Sequence, residues 1–470
     1  MSLRSSRLGG GSKGVSMPAS DGLAALERLR AELTGTLVLP GDAEYDTARL
    51  PWNRAIDQRP AAIATPADTA DVSRIVRAAA DAGLAVTVQP NGHGAAGDLQ
   101  GVVLVRPTRF DTIAVDEQAR ILRVGAGVNW GAALAKLEGT GLIALAGSNP
   151  MVNAAALSIN GGQSMFSRRY GLAARAIVSA EVVDASGTAR RITDADDPEV
   201  IWALRGGGGH FAIVTELELA LYPGERLFGG SLLFPETWAE PVIAAAFALA
   251  RDVPDLGVDA GMMSLPDHEM VPPPLRGQTV ASVALVHVGD PAEGQSYADR
   301  LLAVAQPIAN TLQPFTIGQL AAVAGEPTDP MPTVDFGGSV DAADDAFAAE
   351  FVAAFTTGAR SGLGRASFRA LGGAIADELG ADRAAIGAPQ APALLNSGVV
   401  PFGPHVDPAA ALAPLRELVA RHRGDRGIPS FLGAGTTFAD AYPAETIDRL
   451  GGVKLRVDPG NVIRANRPLR

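Results

Sequence analysis

The stretch that most constrains this chain is residues 61–94. Ala61-Ala-Ile-Ala is a short apolar strand closed by Pro66. Residues 69–82 then place Val72, Ile75, Val76 and Ala79 on one helical face, with Asp68 or Thr69 as cap and Gly83 as stop. A second strand-like run alternates Val86 and Val88 and ends at Pro90, where the loop Pro90-Asn91-Gly92-His93-Gly94 begins. Strand, capped helix, strand and glycine loop predict an α/β beginning. Glycine removes side-chain bulk and admits unusual backbone angles, so loop amides can approach a phosphate closely. Asn91 tolerates left-handed geometry and suits the same turn. His93 is one of only six histidines. An imidazole in such a loop can serve as nucleophile, base or ligand. A solvated turn is the competing reading of these residues taken alone.

At 470 residues, about two or three domains are expected. An apolar fraction of 47% against 19% charged supplies ample core for a soluble globular protein. The formal charge of −12 argues against a nucleic-acid surface. Cysteine is absent, which excludes disulfides, thiolate metal sites and cysteine catalysis. The histidines are dispersed, so no metal set is expected. No apolar run reaches the roughly 18 residues of a membrane span. Residues 1–20 lack the apolar centre of a secretory signal and read as a disordered leader, which predicts a cytoplasmic protein. The richness in Ala, Gly and Arg with little Lys has the texture of a high-GC bacterial coding sequence.

Further along, 101–106 reads as a buried strand, and 113–116 with 120–124 as a hairpin. Gly125-Ala-Gly127 through Gly131 then opens a helix over 130–138, which imitates a nicotinamide-dinucleotide motif. The rest of that signature is missing: no parallel strand ends in an acidic residue near 145–150. Residues 147–172 are loop-rich and of low bulk, which suits backbone packing against a flat cofactor better than a core helix. A hairpin over 177–193, a short helix from Pro198 and an alternating strand from Phe211 to Leu221 follow. The texture changes near Pro223. Strands at 227–235, 279–288 and 364–371 and helices at 236–251, 291–305, 343–357 and 407–423 predict a second, mixed domain. Few elements are expected in 307–345 or 372–404.

Several ordered segments resemble the berberine-bridge-enzyme-like FAD-linked oxidases of the vanillyl-alcohol-oxidase superfamily. Gln89-Pro-Asn-Gly-His-Gly94 is similar to that family's pyrophosphate loop. Gly161-Gly-Gln-Ser-Met-Phe-Ser-Arg-Arg-Tyr-Gly-Leu-Ala-Ala and Trp202-Ala-Leu-Arg-Gly-Gly-Gly-Gly-His-Phe-Ala-Ile-Val-Thr resemble two further family segments, and Val453-Lys through Asp458-Pro-Gly-Asn-Val-Ile a fourth near the C-terminus. The resemblance implies an α+β fold. A two-lobed PCMH-type FAD-binding domain would span 21–224 and a mixed α/β substrate domain with an antiparallel sheet 225–430. Residues 431–470 would return to the FAD domain.

The resemblance also implies an FAD-dependent oxidoreductase that oxidises an alcohol or amine of a small molecule, with O2 or another electron acceptor. His93 matches the histidine that bonds the flavin. Pro90, Asn91, Gly92, His93 and Gly94 would hold the pyrophosphate. Gly147, Ser148, Asn149, Val152, Gly161 and Gly162 would lie near the ring and ribityl chain, and Ile213 near the adenine. Asn461 would reach back to the cofactor domain. Asn149 stands where many members carry a second, cysteine attachment, so only a single bond is expected. The usual C-terminal active-site tyrosine motif is not recognisable, which leaves Asp440 and Tyr442 as weak catalytic candidates. Its loss also motivates an alternative: a flavin scaffold turned to non-redox cyclisation, or one holding a deazaflavin. Trp52 and Trp130 are expected in the core.

Overall fold

The computed structural model describes residues 19–269, 271–401, 406–433 and 435–470. The leader expected over 1–20 lies outside them save its last two residues, which begin the helix Ala19–Glu32. The first sheet holds β1 (Thr36–Val38), β2 (Ala62–Thr65), β3 (Ala85–Val88) and β4 (Val102–Val105) in the order β1-β2-β4-β3. β2 and β3 both run parallel to β4. Parallel neighbours need a crossover, and the helix Thr69–Asp81 supplies it. The Asp68 side chain caps that helix by accepting from the Asp71 amide, and Val72, Ile75, Val76 and Ala79 are buried. β3 then delivers the chain into the His93 loop.

β5 (Ile113–Asp116) and β6 (Ile121–Gly125) form the expected hairpin. β7 (Leu142–Ile143) follows, and then β8 (Ile177–Val183), β9 (Ala189–Ile192) and β10 (Ile213–Ala220). The second sheet is antiparallel in the order β5-β6-β10-β8-β9. β11 (Tyr222–Pro223) clips back onto β7. β6 is therefore no nucleotide-fold strand. A Cβ at Gly125 would sit 2.3 Å from the Phe110 carbonyl, and one at Gly127 2.3 Å from that of Pro107. Those glycines permit a chain crossing.

The low-bulk stretch 147–172 is less irregular than its glycines and asparagines suggest. It contains the short helices Ala154–Ile159 and Ser167–Tyr170, the first capped by the Asn153 side chain. Its small residues allow close packing: Ala154, Ala155 and Ser158 are buried.

The third sheet is built from β12 (Leu227–Pro235), β13 (Gly257–Ser264), β14 (Thr279–Val288), β15 (Ala309–Asn310), β16 (Gln313–Phe315), β17 (Val334–Val340), β18 (Arg365–Ala370) and β19 (Ala393–Val399). It is eight-stranded, in the order β15-β12-β14-β13-β18-β19-β17 with β16 also on β12. β17 and β19 fall in stretches where few elements are expected. Val-Asp-Phe-Gly-Gly-Ser-Val and Ala-Leu-Leu-Asn-Ser-Gly-Val carry too much glycine and too few β-branched residues to announce strands.

Side chains alternate faces along a strand, so the register sorts this sheet into two surfaces. Leu232, Val283, Ala260, Phe368 and Leu395 stand in one cross-strand row. That face packs on the helices Ala239–Asp252, Asp345–Ala359 and Pro408–Arg421. The other face carries the rows Ser231, Ala284, Asp259, Arg369, Leu394, Ser339 and Met263, Arg365, Gly398, Asp335.

The last segment forms the helix Ala444–Val457, then returns to the first sheet. Residues 462–464 pair alongside β3, with Val86 donating to the Val462 carbonyl at 2.7 Å and Arg464 donating to that of Val86 at 2.8 Å. Lys454 and Asp458 clasp this return: Asp458 Oδ2 accepts from Lys454 Nζ at 2.5 Å and from the Ile463 amide at 2.8 Å. Among the described residues no helix is long and apolar enough to cross a membrane.

Candidate functional site: the His93 loop and the polar face of the third sheet

β3 ends in a loop held rigid from beneath. Arg106 donates to the Gln89 carbonyl at 2.7 Å and to its side chain at 3.0 Å. Gln89 donates to Gln58 at 2.9 Å, and Gln58 to the Ala96 carbonyl at 2.9 Å. Asn466 and Arg467, from the returning C-terminus, both donate to the Gly94 carbonyl. Buried polar side chains that are this fully partnered fix a backbone in one place. The tip is shaped by Gly92, whose φ of 78° is left-handed and whose Cβ would meet Pro51 at 2.6 Å.

His93 itself is the exception to this satisfied network. Among the described residues, neither of its ring nitrogens has a hydrogen-bond partner, although both are buried. Trp52 stacks on the ring at 3.9 Å and 16°. The tryptophan expected in the core is thus half-buried and serves as a wall of the site; Trp130 is core, at 1% exposure. Burial pushes the His93 imidazole down to about 4, against a small opposing pull from Glu326. The ring is therefore neutral near pH 7, with a free lone pair.

The other expected cofactor residues are distributed as follows. Asn91 donates from its side chain to the Met151 carbonyl, which docks the loop onto the 147–152 segment. Ser148 and Asn149 are buried there, and Gly147 sits against Leu157 and Trp130. Val152 pairs its carbonyl with the Trp130 amide. Gly161 and Gly162 have φ of 96° and 61°. A Cβ at Gly161 would meet Ile428 at 2.8 Å and one at Gly162 would meet Ala173 at 2.8 Å, so protein packing already accounts for their small size. The Ile213 side chain is spent on the core between the first two sheets, beside Val86, Val183 and Ile463. Asn461 is an exposed turn residue at φ 51°. The reach back is made by Val462 and Ile463, its neighbours.

Both weak catalytic candidates are engaged in structural bonds. Asp440 closes a capping box with Thr437. Tyr442 is buried and donates to the Gly206 carbonyl at 2.8 Å, and burial holds its phenol far above the usual range.

Sequence reading missed a strap at 326–333 and the sheet face it borders. The strap follows Gly325, which is left-handed at φ 62°. Asn149 donates to the Pro327 carbonyl at 2.7 Å and Trp52 to that of Thr328 at 3.1 Å. Asn53 and Thr333 exchange two further bonds at 3.0 Å. Beside the strap, the polar sheet face bounds a cavity of 470 Å³, which also reaches Ser148, Gln163 and Arg168. That volume is in the range of small-molecule sites. Asp335 lies at the end of the same face. Thr333 donates to it at 3.0 Å, Arg467 attracts it, and burial holds its carboxyl above the usual range. Two routes tie it to the loop: Thr333 binds Asn53, whose amide donates to the Gly92 carbonyl at 3.3 Å, and Arg467 donates to that of Gly94 at 3.3 Å.

The arrangement fits a flavin. It offers an unpartnered neutral imidazole, a glycine-shaped loop and an aromatic wall. Opposite lies a sheet face rich in polar groups.

Residues 60–193 match the FAD binding domain family. Over 212 residues the chain is 32% identical to (R)-6-hydroxynicotine oxidase of Paenarthrobacter nicotinovorans, covering 45% of this chain and 46% of that one. It is 31% identical over 184 residues to xylooligosaccharide oxidase of Thermothelomyces thermophilus, covering 38% and 37%. The chain thus spans about half, or less, of the length of these two relatives. Solved structures match it far more completely. 6-Hydroxy-D-nicotine oxidase of Arthrobacter nicotinovorans superimposes with a TM-score of 0.80 at 23% identity, over 92% of this chain and 97% of the other. The berberine-bridge-enzyme-like protein 1 of Physcomitrella patens gives 0.81 at 18%, over 95% and 99%.

The chain shares its fold with these solved structures, and its residues 60–193 carry the FAD binding domain. Its solved neighbours include a berberine-bridge-enzyme-like protein, and its relatives in sequence include FAD-linked oxidoreductases. The cofactor is FAD, and the deazaflavin and non-redox alternatives are not favoured.

Proposed function

We propose that this chain oxidises an alcohol or amine of a small molecule, with O2 or another acceptor taking up the electrons. In this reading FAD is bonded once, through His93. The carrying observation is that buried imidazole, stacked on Trp52 and left without a partner at either nitrogen. FAD, when bound, supplies the two-electron acceptor.

The chain's residues do the rest. Pro90 to Gly94 and 147–152 hold the cofactor. The neutral His93 ring presents the lone pair that attachment requires. Asn149 offers no thiol for a second bond. The strap over Trp52 and Asn149 keeps water from the ring. Asp335 accepts the substrate proton: a carboxyl held high by burial is a stronger base than a solvated one. The substrate lies along the sheet face, between the cavity and Asp335. Division into a cofactor part over 21–224, a substrate part over 225–430 and a returning segment over 431–470 belongs to the same reading.

The test is the intact mass and visible spectrum of acid-precipitated protein. Wild type should stay yellow and carry one flavin mass, and the His93→Ala variant should release it. Wild-type protein that sheds all its flavin on denaturation would falsify the attachment.

A further inference from the structure

The cavity beside the strap mixes apolar and charged walls. Leu233, Val258, Met263, Ala284 and Val323 are among its apolar lining. Of its charged lining, Arg369 is only 11% exposed and Asp259 15%. Asp259 is shared by two arginines of β18, with Arg369 at 3.3 Å and Arg365 at 3.9 Å. Among the described lining residues the only other carboxylate belongs to Glu326, 3.5 Å from Arg369. It comes from the strap, not from the sheet, and Ser148 donates to it at 2.6 Å.

We propose that this cavity binds a ligand with an apolar body and a carboxylate head, and that the head takes the place of Glu326 on Arg369. The proposal rests on reading the cavity as the substrate site of the oxidase. Without the strap's carboxylate, the sheet floor presents two guanidiniums to one acid, a net positive charge. Unspent donors point the same way. The Nε of Arg369 is near Asp259 but has no hydrogen-bond geometry to any acceptor, and the Nε of Arg168 is likewise without one. Arg168 otherwise meets only backbone carbonyls, those of Leu371, Ala250 and Val253. Among the described lining residues three arginines, Arg168, Arg365 and Arg369, face two carboxylates, Asp259 and Glu326. An amine head would add a further cation to a lining where arginines already outnumber carboxylates. A carboxylate head finds a planar guanidinium suited to it. Glu326 then acts as a stand-in anion, a second carboxylate for Arg369 beside Asp259 until the ligand arrives.

The experiment is isothermal titration of the purified full-length protein with decanoate, decanol and decylamine, which share a chain and differ in the head. Decanoate should bind about tenfold or more tighter than decanol, as one charge-assisted contact allows. Glu326→Ala removes the stand-in, so it should tighten decanoate several-fold and leave decanol unchanged. Arg369→Met should abolish the preference, and a thermal scan will show whether that variant folds. Because Glu326→Ala predicts a gain, unfolding cannot imitate success. Tighter binding of decylamine, equal binding of all three, or weaker decanoate binding by Glu326→Ala would each overturn the proposal. The heat of binding needs no electron transfer. A chain without flavin therefore defeats the oxidase reading alone, and a wrong head-group order on a flavin-bearing chain defeats this one alone.

Discussion

The His93 loop and the polar face of the third sheet are bridged by the 326–333 strap, yet they are built by opposite means. The loop is local. Its glycines, its histidine and its flanking strand lie within a few residues, and its supports bind mostly backbone carbonyls. The sheet face is assembled from afar. Asp259, Arg369 and Asp335 are brought onto one surface only by the register of β13, β18, β19 and β17. A loop of the first kind announces itself in sequence. A face of the second kind exists only once strands pair, and a slip of one residue would turn all of it into the core.

The sharpest way to break this comparison is Asp335→Asn. If the sheet face supplies the base, kcat should fall by about 10²–10⁴, with the flavin still attached and KM little changed. Steady-state kinetics under air, together with the intact mass, checks both halves. Activity within a factor of about three of wild type would remove Asp335 from the chemistry, since general-base catalysis contributes far more than that.

The same contrast explains what could be read from the sequence. The crossover helix 69–81, the β5–β6 hairpin and β10 were legible because periodicity and caps are written along the chain. So was the glycine-flanked turn around His93. β17 and β19 were not: Gly337, Gly338 and Gly398 dilute their patterns, and the space that Gly398 leaves is filled by Asp335, 2.9 Å from where a Cβ would stand. Arg365, Ser367 and Arg369 alternate cleanly in β18, but nothing in that spacing tells which side faces a ligand. Asp440 and Tyr442 were singled out because a motif was missing nearby, not because of their own surroundings.

A smaller effect is expected where the returning C-terminus locks onto β3. Lys454 is 14% exposed and Asp458 1%. Lys454→Met leaves a buried carboxylate with only the Val462 and Ile463 amides. Breaking such a pair costs about 3 kcal/mol or more, read as a shift in the urea midpoint. Because Asn466 and Arg467 lie just beyond the clasp and hold Gly94, the fraction of protein carrying flavin should fall with it. Unchanged stability would mean that the loop supports itself.

His93 sets a pH dependence of similar size in flavin-free protein. Its folded value of about 4 lies below the ordinary 6.5. The folded state therefore disfavours the proton that the unfolded chain accepts. Its contribution is present above about pH 6.5 and is lost as the pH falls toward 4, by about 3 kcal/mol in all. His210, pushed by burial to about 3, adds a loss over the same interval. His93→Asn should flatten the acid limb of a stability-against-pH series by its own share only. An unaltered limb would mean that the ring is solvated, and the loop no better than an ordinary turn.

The smallest effect separates a buried phenol from a catalytic one. Tyr442 lies with Phe438 over the glycine run at 206–209. Its hydroxyl donates to the Gly206 carbonyl at 2.8 Å, and a Cβ at Gly206 would be 2.9 Å from it. Arg426 sits 5.6 Å from the ring centre. All of this is packing, with no open space for a substrate atom among these contacts. Tyr442→Phe keeps the ring and removes one hydrogen bond, so stability should drop by about 1 kcal/mol while kcat stays within a factor of about two, far from the loss expected of an acid or base. A hundredfold loss of kcat in a normally folded Tyr442→Phe protein would return the proton chemistry to the C-terminal segment. The polar sheet face would then be left with binding alone.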